Sequence, residues 1–491
     1  MRFIVLFLLI SNTLLSQDLG FFKLYSGSGY DTGQGIVQNP LDSSFYITGS
    51  SSSWGENQNA YILNIDKEGN YGWSHYYGGS ELEIGKRILY RDNYLYLVGM
   101  TNSFSGNQDF DIYFAKIQDD GILIFENSFE LSGWQYVNDA CWKNDSTILI
   151  TGQTELNTEG ENSAFLMELS IEGDSILTKK WGSSGINRGE SVEVYGDTCV
   201  VYGGSIFDEN LNKEVGYIVC EDMNGNVIWL DSLNELSVEN CILDFDYGVN
   251  KLHVVGFQNT GDYDEYFFNY SLSDGSILNQ SIAINNQSSK LIEEVVAFVD
   301  GNGGQKIAIG MENYSFSVPE RSYDVLIANF NANGLYWLNE SRTIEFEQDD
   351  EVGEMIQTLD SSYIVVGTNK TQGLANFTNN GGQNVYLFKP GKAINFPLTN
   401  ESNVLSDLNT LVETPTIQSL VEKNSVFPNP CSDVLNIQVD SPGSIMLFDV
   451  KGIMLYKSFA TNSFSTLNVS HLASGVYYLF VGNKQYKVLK N

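Results

Sequence analysis

A short apolar run ending in glycine occurs seven times along this chain, and that recurrence limits its fold more than any local motif does. The copies are Phe45-Tyr-Ile-Thr-Gly49, Leu95-Tyr-Leu-Val-Gly99, Ile148-Leu-Ile-Thr-Gly152, Val200-Val-Tyr-Gly203, Leu252-His-Val-Val-Gly256, Ile307-Ala-Ile-Gly310 and Tyr363-Ile-Val-Val-Gly367. From glycine to glycine the steps are 50, 53, 51, 53, 54 and 57 residues. A fixed period of this size marks a solenoid, a propeller or an array.

Each copy is followed by a polar loop and a second apolar run. That run opens on a large residue eight positions before another glycine, in the pairs Tyr61/Gly69, Tyr113/Gly121, Phe165/Gly173, Tyr217/Gly225, Phe267/Gly275 and Leu326/Gly334. Asp or Asn beside the glycine suits a hairpin turn, because Gly and Asn tolerate positive φ. An aromatic follows four residues later in several repeats, as Trp73, Phe125 and Trp229. Strand, hairpin and strand at this period, with no helical stretch between them, predict four-stranded propeller blades.

The seventh repeat is incomplete. After Tyr386-Leu-Phe-Lys389 the chain meets Pro390 and becomes polar, so a final strand is missing. Phe21-Phe-Lys-Leu-Tyr25 matches the fourth-strand segment Trp73-Ser-His-Tyr-Tyr77 and is expected to fill that gap, which would remove two open sheet edges.

Net charge sets limits on partners. Lys and Arg total 26 against 61 Asp and Glu, giving −35, which opposes nucleic-acid binding and adsorption to anionic membranes. The five cysteines form no C-x-x-C pair, which argues against a zinc or thioredoxin-like centre. Cys199 and Cys220 are expected on neighbouring strands, where either a disulfide or two buried thiols would fit.

Residues 1–16 read as a secretory signal peptide: Arg2, an apolar core from Phe3 to Ile10, then small and polar residues. No later stretch has the length of a transmembrane helix. Residues 17–390 hold the repeats. Residues 391–424, rich in Asn, Ser, Thr and Leu, read as a linker.

The repeats resemble a long bacterial propeller repeat of the form G-G-S … Y-x-x-x-G-x-T … D-x-Y-x-x-K. Tyr77-Gly-Gly-Ser80, Leu97-Val-Gly-Met-Thr101 and Asp111-Ile-Tyr-Phe-Ala-Lys116 carry the likeness best. That resemblance implies a fold and no activity. Residues 425–491 resemble the type A sorting domain of type IX secretion cargo. The matching blocks are Val426-Phe-Pro428-Asn429-Pro430, Ile445 to Gly452 with its turn at Asp449, the segment Leu467 to Tyr478 with Leu472, Gly475 and Tyr477, and the basic end with Lys487 and Lys490. The resemblance implies delivery through the periplasm to the outer surface of a Gram-negative bacterium or to the medium. It makes the type IX machinery a partner through residues 425–491. The expected fold class is all-β: a seven-bladed β-propeller closed by its N-terminal strand, then a small Ig-like β-sandwich.

Chemistry is sparse. Only His75, His253 and His471 are available, so a Ser-His-Asp or Cys-His site has little material. No cofactor-binding fingerprint occurs and no metal site is expected. Carboxylates are the abundant functional group. Asp31, Glu83, Asp139, Glu190, Glu239, Glu294 and Glu351 precede the predicted first strand of successive repeats, and they would ring a channel mouth if that strand lines it. The leading expectation is a monomeric, non-enzymatic binding or adhesion module for a glycan, a protein or a cation. A polysaccharide hydrolase or lyase using paired carboxylates and a structural surface-layer component are the alternatives.

Overall fold

In the computed structural model the apolar runs of every repeat are β-strands, joined in sequence order by antiparallel hairpins. The structure describes residues 20–390 and 425–490, apart from 54–56, 105–108, 132, 156–160, 183, 234–241, 247–250, 260–262, 283–289, 300–304, 316–321, 332–341, 345–349, 371–381, 428–433, 439–442, 450–453, 461–463 and 482–483. Among the described residues there is no helix, and so none long and apolar enough to cross a membrane. Residues 1–16, read as a signal peptide, and residues 391–424, read as a linker, lie outside them. The chain divides into two compact units, 1–409 and 410–491.

Strand β1 (Phe21–Tyr25) is set apart by its pairing, described below. Then come sheets of four consecutive strands. The first holds β2 (Gly35–Gln38), β3 (Phe45–Ser51), β4 (Asn59–Ile65) and β5 (Tyr71–Tyr77). The second holds β6 (Glu83–Arg91), β7 (Tyr94–Thr101), β8 (Asp111–Gln118) and β9 (Leu123–Phe129). The third holds β10 (Gln135–Asn144), β11 (Thr147–Glu155), β12 (Asn162–Ser170) and β13 (Ser175–Trp181). The fourth holds β14 (Arg188–Tyr195), β15 (Cys199–Asp208), β16 (Lys213–Asp222) and β17 (Val227–Ser232). The fifth holds β18 (Ile242–Asp246), β19 (Lys251–Asn259), β20 (Tyr263–Ser271) and β21 (Ile277–Ile282). The sixth holds β22 (Lys290–Val299), β23 (Gln305–Ser315), β24 (Ser322–Asn331) and β25 (Arg342–Ile344). The last holds β26 (Asp350–Thr358), β27 (Ser362–Asn369) and β28 (Asn384–Lys389), with β1 as its fourth strand.

Each first strand packs against the first strand of the next sheet, and β26 packs against β2. This cyclic neighbourhood of four-stranded antiparallel sheets is a β-propeller. Burial follows from it. Strands β3 and β4 are buried along nearly their whole length because sheets cover both faces, whereas β5 at the outer edge is largely open.

The recurring glycine has a steric cause. A Cβ at Gly49 would lie 1.8 Å from the Thr32 carbonyl oxygen, and one at Gly99 would lie 1.9 Å from that of Ile84. The first strand's backbone presses on the second at this point, and only glycine leaves room. In the fourth sheet Gly204 takes this place instead of Gly203, with Arg188 O 2.1 Å from its would-be Cβ. In the sixth sheet Gly310 pairs with Glu294, one register step away from the Gly85–Gly99 arrangement.

The hairpin turns join neighbouring sheets. Tyr25 donates to the Gly69 carbonyl (2.5 Å), Tyr77 to Gly121 (2.9 Å) and Asn127 to Gly173 (3.2 Å). Trp229 Nε1 donates to Leu272 O (2.9 Å) beside Gly275. Closure follows the same rule. Strand β1 pairs antiparallel with β28 in the register Phe21↔Lys389 through Tyr25↔Val385, as the incomplete seventh repeat requires.

Cys199 and Cys220 lie on the adjacent strands β15 and β16, both as free buried thiols. Their mutual hydrogen bond lowers the pKa of Cys199 and raises that of Cys220, with burial adding to the rise.

In the second unit β29 (Ser425–Phe427), β30 (Val434–Gln438) and β33 (Phe464–Asn468) form one sheet. Strands β31 (Gly443–Asp449), β32 (Met454–Ala460), β34 (Gly475–Val481) and β35 (Lys484–Lys490) form another, in the order β32-β31-β34-β35. Leu435 and Ile437 from the first sheet share one core with Leu447, Leu479 and Val488 from the second. Leu472 packs on that core, Tyr477 donates to Ala473 O (2.7 Å), and Gly475 pairs with Lys490. Lys487 pairs with Tyr478, and Asp449 with Tyr477. Pro428, Asn429, Pro430 and Gly452 lie outside the described residues.

Candidate functional site

Five of the first strands carry a β-bulge at one repeat position, seen as register shifts between Gly85 and Arg87, Val137 and Asp139, Gly189 and Ser191, Ile292 and Glu294, and Val352 and Glu354. A bulge re-aims the side chain that follows it. Four of the five residues after the bulges meet. Arg87 Nε is 2.9 Å from Asp139 Oδ1 and 3.6 Å from Glu354 Oε1, and its Nη2 is 2.7 Å from Glu294 Oε1. The fifth, Ser191, donates to Asp139 Oδ2 (3.2 Å), which also accepts the Val192 N–H (2.8 Å). Glu354 Oε2 accepts the Ile36 N–H (2.5 Å). One arginine, 6 % exposed, thus ties carboxylates from the third, sixth and last sheets to the second.

The cluster is charge-rich and largely buried. Burial pushes Glu294 up to about 8; Glu354 and Asp139 add to the rise, while Arg87 and Lys86 oppose it. Burial likewise pushes Glu354 up to about 7, against Arg87 and the Ile36 N–H. Burial opposes the charge of Arg87, but Glu294, Glu354 and Asp139 outweigh it and raise its pKa. Such a cluster binds protons near neutral pH and pins sheets together.

The acids singled out in the sequence do not form one open ring. Asp139 and Glu294 belong to the buried cluster. Asp31 is buried and accepts from Ser51, Ser53 (2.8 Å) and the Gly27 N–H (2.7 Å); burial raises its pKa against those bonds. Glu83 is buried in the same way under Thr101 (2.8 Å) and Ser103. The corresponding residue in the last sheet is Asp350, which accepts from Asn369 (2.8 Å); its neighbour Glu351 pairs with Lys370 instead. Glu190 stands at the bulge itself, and burial raises its pKa against Arg188 and Lys86. Glu239 lies outside the described residues. These side chains sit at a strand entry, where Ser and Thr of the next strand are the nearest donors, so most are consumed internally. Arg87 and Glu354 escape a search for acids before the strand, although Arg87, Asp139 and Ser191 recur every 52 residues. Among the described residues no group of three or more His, Cys, Asp and Glu forms a metal-holding cluster.

Exposed chemistry lies elsewhere. The loops entering first strands and those joining second to third strands share one end of the propeller, because the strands alternate in direction. Three exposed aromatic rings stand on those loops: Tyr30 (56 %), Phe104 (45 %) and Trp134 (40 %). Tyr76, on an outer strand, is the other exposed ring among the described residues 20–390. Tyr30 lies against the backbone of Gly382, and Phe104 stacks parallel to Tyr113 at 6.4 Å. Trp134 meets Phe110 edge-on at 5.3 Å and lies 6.5 Å from Tyr136. Exposed rings held by others in this way offer flat apolar surface at little entropic cost.

Residues 425–491 match the family described as the secretion system C-terminal sorting domain. That type IX tail indicates a protein exported to the cell surface or the medium. Among curated proteins none matches the chain. Similar solved structures include the WD40 domain of Neurospora crassa Pan2, at 11% identity over 74% of this chain and 91% of that one, with a TM-score of 0.44. Another is Sqt1 from Chaetomium thermophilum, at 10% identity over 77% of this chain and all of that one, with a TM-score of 0.43.

Proposed function

We propose that this protein is an exported seven-bladed β-propeller that binds a partner at its aromatic loop face and catalyses no reaction. On this reading the seven sheets are blades of one closed ring. Residues 1–16 direct the chain to the periplasm. Residues 391–424 link the propeller to a type A, Ig-like sorting sandwich, and the type IX machinery reads residues 425–491.

The observation that carries the binding role is the position of Tyr30, Phe104 and Trp134 on loops at one end. Loops from successive blades meet there, so rings distant in sequence act on one ligand. The carboxylates favour the same view. Glu294 and Glu354 have the raised pKa of a catalytic pair, yet both are bonded to Arg87 among the first strands and neither lines an aromatic cleft.

The test compares the mature secreted chain with a Tyr30→Ala/Phe104→Ala/Trp134→Ala variant for binding to insoluble polysaccharides and to immobilised matrix proteins. The expected result is a loss of binding of tenfold or more, with Tyr76→Ala unchanged. Equal binding by the triple variant would remove the loop face. Release of sugar from any polysaccharide would favour a hydrolase.

A further inference from the structure

Trp134 does not stand alone on the loop face. The Gln135 N–H donates to Phe110 O (2.7 Å) and the Glu155 N–H to Trp134 O (2.8 Å), so the backbone under both rings is fixed. Asp109 and Asp111 flank Phe110 in sequence. The register Ile112↔Phe129 brings Glu130 alongside Asp111. Two rings and three carboxylates therefore share one corner between the second and third sheets.

Two buried oxygens at this corner lack partners among the described residues. Asp111 is 3 % exposed and its Oδ1 accepts no hydrogen bond. Gln135 is fully buried and its Oε1 is likewise unmatched. Burial, then Glu130 and Asp109, push Asp111 up to about 6. The neighbouring base, Lys180, donates to the Leu131 carbonyl. The corner thus has an excess of negative charge and acceptor capacity beside open aromatic surface.

We propose that Trp134 and Phe110, with Asp109, Asp111 and Glu130, form a subsite for a basic side chain, a Lys or Arg presented by a partner protein. This rests on the reading of the loop face as a binding surface and adds the chemistry of its ligand. A cation over an indole gains from the ring quadrupole, and Trp is the best of the rings for it. The methylene stem lies along apolar surface while the head stays near the carboxylates. A neutral sugar would use the ring but leave three clustered negative charges uncompensated. The net charge of −35 attracts basic partners to the protein as a whole, and the clustered carboxylates add to it locally.

The experiment titrates the mature secreted chain with acetylated pentalysine and, separately, with a neutral cello-oligosaccharide, by calorimetry at low and high salt. Peptide binding should weaken with salt, fall tenfold or more in Trp134→Ala, fall at least threefold in Glu130→Gln, and persist in Trp134→Phe and Tyr76→Ala. Trp134→Phe, which keeps a ring, separates lost contact from lost folding. Equal peptide affinity in Trp134→Ala would mean diffuse attraction and would overturn the subsite while leaving the loop face untouched. Trp134-dependent binding of the oligosaccharide without the peptide would keep the loop face and overturn the basic ligand. Binding of neither probe would also overturn the subsite.

Discussion

Arg87 donates to Glu294 across 207 positions of chain, with Nη2 2.7 Å from Oε1. Their strands, β6 and β22, belong to the second and sixth sheets, which are not neighbours around the cycle. Two side chains from opposite parts of a cycle meet only near its axis. The buried cluster is therefore a pin through the first strands. Its cost is the desolvation of one cation and three acids, which is acceptable only because each is bonded.

That cost makes stability depend on pH. The folded carboxyls of Glu294 and Glu354 titrate at about 8 and about 7, well above the ordinary value near 4.3 they regain on unfolding. Between these values the folded state holds more protons, so stability falls as pH rises. The cluster's contribution should be greatest below about pH 5 and should be lost as pH rises through about 7 to 8. Melting temperatures across pH 5–9 should show this slope, and Glu354→Gln should flatten it. A wild-type slope matched by the variant would show that the cluster does not carry it.

Strand β1 closes the last sheet, and Tyr25 reaches on to the first through Gly69 O. Tyr25→Phe should cost about 1 kcal/mol, the usual net value of one hydrogen bond. Deleting residues 20–26 should leave the β28 edge unpaired and promote aggregation. A deleted chain that stays soluble with an unchanged melting temperature would count against closure.

The sorting tail forms a compact unit with its own core. Removing residues 425–491 should leave the thermal transition of the propeller within about 2 °C of the full chain and retain the protein inside the cell. Appearance of the truncated chain at the surface, with a working type IX system, would contradict the role of the tail.

Some of this was legible in the sequence and some was not, for physical reasons. The glycine period was visible because a backbone carbonyl under 2 Å from a would-be Cβ, as at Gly49 and Gly99, admits no other residue. The β1–β28 pairing followed from a missing strand and a spare one. Bulges were hidden, since they shift register without changing composition. Adjacent residues of one type hid the register as well: Gly203 and Gly204 are equivalent by sequence, as are Asp350 and Glu351, and only the strand pairing separates them. The pin was hidden because Arg87, Asp139, Glu294 and Glu354 each follow a bulge, and a bulge re-aims the side chain after it. The exposed rings on the loop face could not be told from buried ones, since Tyr30 and Tyr25 look alike until burial is known.

The most direct test of the architecture is a double-mutant cycle of Arg87→Met and Glu294→Gln, read as unfolding free energy in urea. Groups in contact couple by about 0.5–3 kcal/mol, whereas distant ones add independently. The closed ring predicts a coupling of about 1 kcal/mol or more, larger at pH 8.5 than at pH 6 because Glu294 is then more fully ionised. A coupling indistinguishable from zero at both pH values would mean that Arg87 and Glu294 do not meet, and would contradict the closed ring.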